Sequence, residues 1–137
     1  MKNYRSVSVM DEICIVQISD THVCIPGCLL KNNFDSNYAL ERAIEIINSE
    51  DYSIDCLLIT GDLVEEGSED EYAHLKKILN RLNRKIPVLF CLGNHDDIDV
   101  FSKHKELKKR KHAKLDDLLE IPIKFKQNWS KEQISKE

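Results

Sequence analysis

The chain has few residues that break regular structure, with only 4 Gly and 3 Pro among its 137 residues. This composition excludes collagen-like and Gly/Pro-rich disordered proteins, and a content of 42% hydrophobic and 32% charged residues is typical of a soluble globular protein. No stretch reaches the roughly 18 apolar residues of a membrane-spanning helix, and residues 1–11 lack the apolar core of a signal peptide. We therefore expect a globular protein that stays in the cytoplasm and has no membrane segment.

The sequence also lacks a pattern of paired cysteines. Cys24 and Cys28 are separated by three residues, with His22 nearby, but no second Cys pair of suitable spacing completes a structural zinc site. We interpret these two as loop thiols. The other three cysteines fall inside apolar runs, where a free thiol behaves as a small hydrophobe: Cys14, Cys56 and Cys91. Unpaired cysteines fit a reducing compartment.

Charge is distributed unevenly along the chain. Residues 1–100 carry 9 Lys/Arg and 18 Asp/Glu, a formal charge of −9, whereas residues 101–137 carry 11 and 6, a charge of +5. We therefore predict one acidic domain over 1–100 and a basic, helical tail over 101–137. Seven basic residues between Lys103 and Lys114 suit nucleic acid, but no aromatic residue interleaves with them. We expect a solvated helix face and no nucleic-acid partner.

The apolar patterns predict an α/β fold. Three short runs rich in β-branched or other apolar residues predict strands, at 13–18, 56–59 and 88–92. Between them, apolar residues at helical spacing predict two amphipathic helices, at about 37–48 and 69–83. Asp35 or Ser36 is placed to cap the first helix, and Ser68 with Glu71 forms a capping box before the second. The β-α-β-α-β order predicts a parallel sheet with right-handed crossovers and helices on both faces.

Polar clusters follow the three predicted strands at the point where each strand ends. They are Asp20-Thr21-His22, Gly61-Asp62 and Gly93-Asn94-His95-Asp96. Any one of them taken singly is well explained as a turn, since Gly, Asn and Asp favour turns. Three such clusters, each at the end of a predicted strand, favour a ligand-binding site, because side chains at the carboxyl ends of parallel strands converge on one crevice.

These side chains suit a metal site. In an extended segment the side chains of Asp20 and His22 point the same way, and carboxylate with imidazole suits zinc, iron or manganese better than calcium. Asp62 is placed to bridge two ions about 3.5 to 4 Å apart, and Asn94 to offer its amide oxygen to the second. The glycines before Asp62 and Asn94 let the backbone turn sharply and approach the site.

The three motifs resemble, in order, the first three motifs of the calcineurin-like metallophosphoesterases, over roughly residues 13–97. The residues in and around these motifs are most similar to those of the bacterial cyclic nucleotide phosphodiesterase branch. The resemblance implies the first half of an αββα sandwich that hydrolyses small phosphodiesters, such as 3',5'-cyclic nucleotides, with two divalent ions (Fe, Mn or Zn). By this resemblance Asp20 and His22 bind the first ion, Asp62 bridges and Asn94 binds the second. His95 then protonates the leaving alkoxide, and Asp96 orients the His95 ring.

The resemblance stops short of the family's full ligand set. Members carry a further metal-binding His and a Gly-His-x-His motif after these residues, and nothing after Asp97 matches either. His104 and His112 lie in the Lys-rich segment and are expected to be solvated, whereas His74 lies in a predicted helix. Two interpretations stay open. The chain is part of a hydrolase whose apolar sheet face needs a complementing chain or a second copy, or it is a catalytically incompetent remnant whose tail reflects a frameshift.

Overall fold

The computed structural model describes residues 13–108. Three parallel strands form one sheet in the order β1-β2-β3: β1 (Ile15–Ser19), β2 (Cys56–Gly61) and β3 (Val88–Leu92). Four α-helices accompany them: α1 (Ser36–Ser49), α2 (Glu69–Leu79), α3 (Ile98–Lys103) and α4 (Lys105–Lys108). The predicted parallel β-α-β-α-β order is confirmed. Among these residues no helix combines the length and the apolar character needed to cross a membrane.

The helix starts follow the capping residues in the sequence. The Asp35 carboxylate accepts a hydrogen bond from the Tyr38 amide at 2.9 Å at the start of α1. Before α2, the Glu71 amide donates to the Ser68 hydroxyl at 3.4 Å and the Ser68 amide donates to the Glu71 carboxylate at 3.1 Å. This reciprocal pair is the predicted capping box, and it satisfies N–H groups that a helix start leaves without partners.

Helix α2 ends at Leu79, before the predicted end near residue 83. The chain continues in tight turns, with the Arg81 amide donating to the Ile78 carbonyl and the Leu82 amide to the Leu79 carbonyl, both at 3.1 Å. Leu82 is nevertheless buried, at 1% exposure. The predicted helix was too long, because a buried leucine at helical spacing is equally compatible with such turns.

Both long helices pack on the same face of the sheet. We expected helices on both faces, but two successive right-handed crossovers in the order β1-β2-β3 place their helices on one side. The inner strand residues lie in one core with both helices, whereas the residues that alternate with them point away. On that second face Ile15 is 44% exposed and Cys91 is exposed. Within residues 13–108, the helices all contribute to the core of the first face.

The cysteines lie in different environments, and Cys56 is buried although it shares a sheet face with Ile15 and Cys91. All five are free, as expected. Cys56 is buried and Cys14 is half-buried, which agrees with their interpretation as small hydrophobes. For Cys91 that interpretation is wrong, because its side chain lies on the open face of the sheet. In the loop, the Cys24 thiol is buried and donates to the Cys28 carbonyl at 3.3 Å, and burial raises the pKa of Cys24 to about 11.

The segment after β3 packs against the core, although the sequence predicted a basic tail from residue 101. The Asp97 carboxylate caps α3 by accepting from the Asp99 and Val100 amides at 2.9 and 3.0 Å. Phe101 is buried, with its ring 5.6 Å from that of Tyr72. His104 is therefore half-buried beside Tyr72, at 5.8 Å between ring centroids, and the expectation that it is solvated is wrong. His112 and the rest of the basic tail lie outside the described residues.

The two faces of the sheet predict different costs for the same substitution. Ile59 is fully buried under the helices and Ile15 is 44% exposed on the other face. Ile59→Ala should lower the free energy of unfolding by about 2 to 5 kcal/mol, because it leaves a cavity. Ile15→Ala should lower it by less than about 1 kcal/mol. Urea denaturation of both variants measures the difference, and equal losses would mean that the second face is covered in solution.

Candidate metal centre

The strand-end clusters converge at the carboxyl edge of the sheet through a backbone that is not extended. Parallel pairing continues past Ser19, since the Asp20 amide donates to the Thr60 carbonyl at 2.8 Å and the His22 amide to the Asp62 carbonyl at 3.0 Å. Asp20 and His22 have positive φ angles, of 54° and 41°. We expected an extended segment here, and that expectation is wrong. Left-handed conformations of non-glycine residues are costly and concentrate at functional sites.

Asp20, His22 and Asp62 form a compact group of ligand atoms. One atom from each residue lies within 4.8 Å of the other two. The His22 Nε2 atom is 3.7 Å from the Asp62 Oδ2 atom, and the Asp62 amide donates to the Asp20 carboxylate at 3.2 Å. Two carboxylates and an imidazole fit a zinc, iron or manganese ion, and three protein ligands leave coordination positions for water or substrate. The residues present therefore fit a first metal ion.

The Asp20 carboxylate is held in its charged form. A hydrogen bond from the Ser19 hydroxyl at 2.8 Å lowers the pKa of Asp20, and the Asp62 amide lowers it further. A metal ligand of this kind must be deprotonated. Asp62, by contrast, is buried at 8% exposure, so it forms the floor of the group while Asp20 remains exposed to solvent.

Gly61 and Gly93 are required by the close approach of these carboxylates. A Cβ atom at Gly61 would lie 2.2 Å from the Asp20 Oδ1 atom, and a Cβ atom at Gly93 would lie 2.1 Å from the Asp62 Oδ1 atom. Gly61 also has a φ of +75°, which side-chain-bearing residues rarely adopt. The expectation that both glycines let the backbone approach the site is confirmed.

His95 and Asn94 lie at the same edge, after β3. The His95 amide donates to the Asp62 Oδ1 atom at 2.8 Å, and the His95 ring meets the His22 ring edge-on at 5.1 Å between centroids. The Nδ1 atom of His95 lies 2.5 Å from the Glu65 carbonyl oxygen, and this contact raises the pKa of the imidazole. Asn94 is exposed beside it.

The Asp96 side chain is held by hydrogen bonds from three neighbouring segments. Its carboxylate accepts hydrogen bonds from the Gly93 amide at 2.9 Å, the Leu63 amide at 3.0 Å and the Tyr72 hydroxyl at 2.9 Å. The hydrogen-bond partner of the His95 ring is the Glu65 carbonyl, so the expected contact of Asp96 with that ring is not what holds it. Asp96 instead ties the segments after β2 and β3 to helix α2.

Glu65 is the site residue that the sequence motifs did not identify. Its carboxylate lies 2.7 Å from the Nδ1 atom of His22 and 4.0 Å from the Nδ1 atom of His95. Together with the two histidines it forms a second group of potential ligands that overlaps the first. No motif singles it out, because it follows Asp62 by three residues and looks like one of two loop glutamates. Within residues 13–108 these are the two groups, and neither contains His74 or His104.

Comparison with known proteins places these motifs in a family. The sequence matches the family model of the calcineurin-like phosphoesterases over residues 14–133. A probable glycerophosphodiester phosphodiesterase of Arcobacter nitrofigilis is 33% identical over 92 residues, which are 67% of this chain and 33% of that protein. A probable cyclic nucleotide phosphodiesterase of Rhodococcus erythropolis is 35% identical over 89 residues, 64% of this chain and 29% of that protein.

A third relative is similar to the same extent. The 3',5'-cyclic adenosine monophosphate phosphodiesterase of Pseudomonas aeruginosa is 29% identical over 94 residues, 69% of this chain and 34% of that protein. The chain thus spans about a third of the length of these three relatives. The resemblance inferred from the three motifs is confirmed by a match over most of the sequence. The chain belongs to the calcineurin-like phosphoesterase family.

Proposed function

We propose that this chain carries half of a dinuclear metal site that hydrolyses small phosphodiesters, of which 3',5'-cyclic nucleotides are the favoured class. The observation that carries the proposal is the convergence of Asp20, His22 and Asp62, whose ligand atoms lie within 4.8 Å of one another. The relatives are named as phosphodiesterases of cyclic nucleotides and of glycerophosphodiesters, which supports the substrate class. The absence of a membrane-crossing helix among the described residues is compatible with work in the cytoplasm.

In this proposal the chain's own residues divide into ligands and a proton donor. Asp20, His22 and Asp62 would hold the first ion, and Asp62 and Asn94 would hold the second. Two divalent ions, of Fe, Mn or Zn, would supply a hydroxide nucleophile at neutral pH and offset the charge of the phosphoryl oxygens. His95 protonates the leaving alkoxide as an imidazolium. The Glu65 carbonyl accepts from its Nδ1–H group at 2.5 Å and raises the pKa of the ring, and the Nε2–H group gives its proton to the alkoxide.

Within residues 13–108 the ligand set lacks the family's later histidines, and in this proposal a partner supplies them. The two groups of potential ligands contain two histidines, whereas the family motif includes a further His and a Gly-His-x-His pair. The open sheet face, where Ile15 is 44% exposed, is the surface that a complementing chain or a second copy would cover. The same shortage of histidines favours the alternative of a catalytically incompetent remnant, which binds metal weakly and hydrolyses nothing.

Asp62→Asn tests the metal site directly. The amide keeps the oxygen that accepts from the His95 backbone but loses the charge, so the fold should persist while Mn²⁺ affinity falls by about 100-fold or more. Isothermal titration of Mn²⁺ into the full chain measures this. Asp70→Asn, an exposed change on α2, is the matched control and should leave the affinity unchanged. Equal binding by both variants would contradict the assignment of Asp62.

Gly61→Ala separates a steric effect at the site from backbone strain. The new Cβ atom would overlap the Asp20 carboxylate at 2.2 Å, so we expect Mn²⁺ affinity to fall by about tenfold or more. Gly27 has a similar φ of +83° but nothing within 4 Å of its Cβ position. Gly27→Ala should therefore destabilise the fold by a similar amount without weakening Mn²⁺ binding. Equal effects on Mn²⁺ binding would show that strain alone accounts for the loss.

His95→Asn tests the proton donor. With Mn²⁺ bound, the substitution should slow hydrolysis of 3',5'-cyclic AMP by about 10² to 10⁴-fold, because the leaving alkoxide is no longer protonated. Hydrolysis of bis(p-nitrophenyl) phosphate should slow much less, since nitrophenolate leaves without a proton. A uniform loss on both substrates would contradict the acid role. Wild-type chain that binds Mn²⁺ but hydrolyses neither substrate would favour the remnant.

A further inference from the structure

Glu65 contacts both histidines of the site through two different groups. Its side-chain Oε2 atom lies 2.7 Å from the Nδ1 atom of His22, and its main-chain oxygen lies 2.5 Å from the Nδ1 atom of His95. The two rings meet edge-on at 5.1 Å between centroids. One residue therefore contacts the same nitrogen of each ring.

The chemistry of these contacts assigns the protons. A carbonyl oxygen and an ionised carboxylate accept hydrogen bonds and cannot donate them, so the Nδ1 atom must be the donor in both rings. A neutral imidazole carries one proton, which leaves the Nε2 atom with its lone pair free. For His22 that Nε2 atom is the one near Asp62, 3.7 Å from the Oδ2 atom. A metal ion is bound by such a neutral nitrogen.

We propose that Glu65 is a positioning residue of the metal centre: its carboxylate fixes the Nδ1–H tautomer and ring orientation of His22, so that the Nε2 lone pair faces Asp20 and Asp62. The proposal rests on the proposed function, since it assumes that His22 is a ligand. The main-chain carbonyl of Glu65 holds the His95 ring in the same way. Partners of metal-binding histidines commonly are carboxylates or carbonyls, and removing one typically costs 10 to 100-fold in metal affinity.

The segment around Glu65 is itself well held. The Glu65 amide donates to the Val23 carbonyl at 3.0 Å, and the Glu66 amide donates to the Glu71 carboxylate at 3.0 Å. Gly67, with a φ of +75°, brings the segment close to the chain after β3, where a Cβ atom would lie 3.0 Å from the His95 carbonyl oxygen. The carboxylate is thus presented from a backbone that is anchored on both sides.

Glu65 could instead be a metal ligand, because its carboxylate, His22 and His95 also lie within 4.8 Å of one another. The hydrogen bonds oppose this assignment. The Oε2 atom is already occupied by His22, and the Nδ1 atom of His95 is occupied by the Glu65 carbonyl. An ion bound by the Glu65 Oε2 atom and the His95 Nδ1 atom would have to break both contacts, whereas an ion beside Asp20 and Asp62 would keep both.

The test uses the tautomers of the metal-free protein, read from the ¹⁵N shifts of the imidazole rings above the pH at which the histidines titrate. In the wild type both rings should be Nδ1–H. Glu65→Ala should release His22 into a mixture of tautomers while leaving His95 as Nδ1–H, because the main-chain carbonyl remains. Glu65→Gln should keep the His22 tautomer, since the amide oxygen still accepts. Glu66→Ala, at an exposed neighbour, should change neither ring.

Mn²⁺ titration of the same proteins completes the experiment. We expect Glu65→Ala to lower Mn²⁺ affinity by about 10 to 100-fold, with a smaller loss in Glu65→Gln and none in Glu66→Ala. A wild-type His22 in the Nε2–H tautomer, or full Mn²⁺ affinity in Glu65→Ala, would overturn the positioning role. A loss as large in Glu65→Gln as in Glu65→Ala, with the His22 tautomer unchanged in both, would make Glu65 a ligand. Wild type that binds no Mn²⁺ would instead overturn the proposed function.

Discussion

The site depends on the tight contact between two carboxylates and two glycine backbones at the carboxyl edge of the sheet. The Asp20 carboxylate lies where a Cβ atom of Gly61 would be, and the Asp62 carboxylate lies where a Cβ atom of Gly93 would be. Neither glycine position therefore has room for a side chain. Asp62 in turn positions both histidines, because the His22 amide donates to the Asp62 carbonyl and the His95 amide donates to the Asp62 carboxylate.

The supporting residues form a second layer behind this edge. The Asp96 carboxylate accepts from the segments after β2 and β3 and from Tyr72 on α2, so it couples the site to the helical face of the sheet. Burial and the hydrogen bond to Asp96 raise the pKa of Tyr72, which keeps its hydroxyl protonated as a donor. The carboxylate of Asp96 thus acts on the geometry of the loops, and the His95 ring is left to Glu65.

The sequence predicted the parts of this arrangement that have local signals. The strand β3 and the capping box before α2 are read from short patterns, and the order of motifs placed Asp20, His22 and Asp62 together. The left-handed backbone at Asp20 was not predicted, because Asp20 directly follows a strand pattern that indicates extended backbone. Glu65 was missed for a related reason: its role arises from contacts with His22 and His95, which are 43 and 30 residues away.

If Asp20, His22 and Asp62 hold a divalent ion, anomalous diffraction from crystals of the full chain grown with Mn²⁺ should reveal it, because the signal locates the ion without assumptions about activity. We expect a peak about 2.0 to 2.2 Å from a carboxylate oxygen of Asp20 and of Asp62 and from the Nε2 atom of His22. A peak bound instead by the Glu65 carboxylate, or no peak at this edge of the sheet at saturating Mn²⁺, would contradict it.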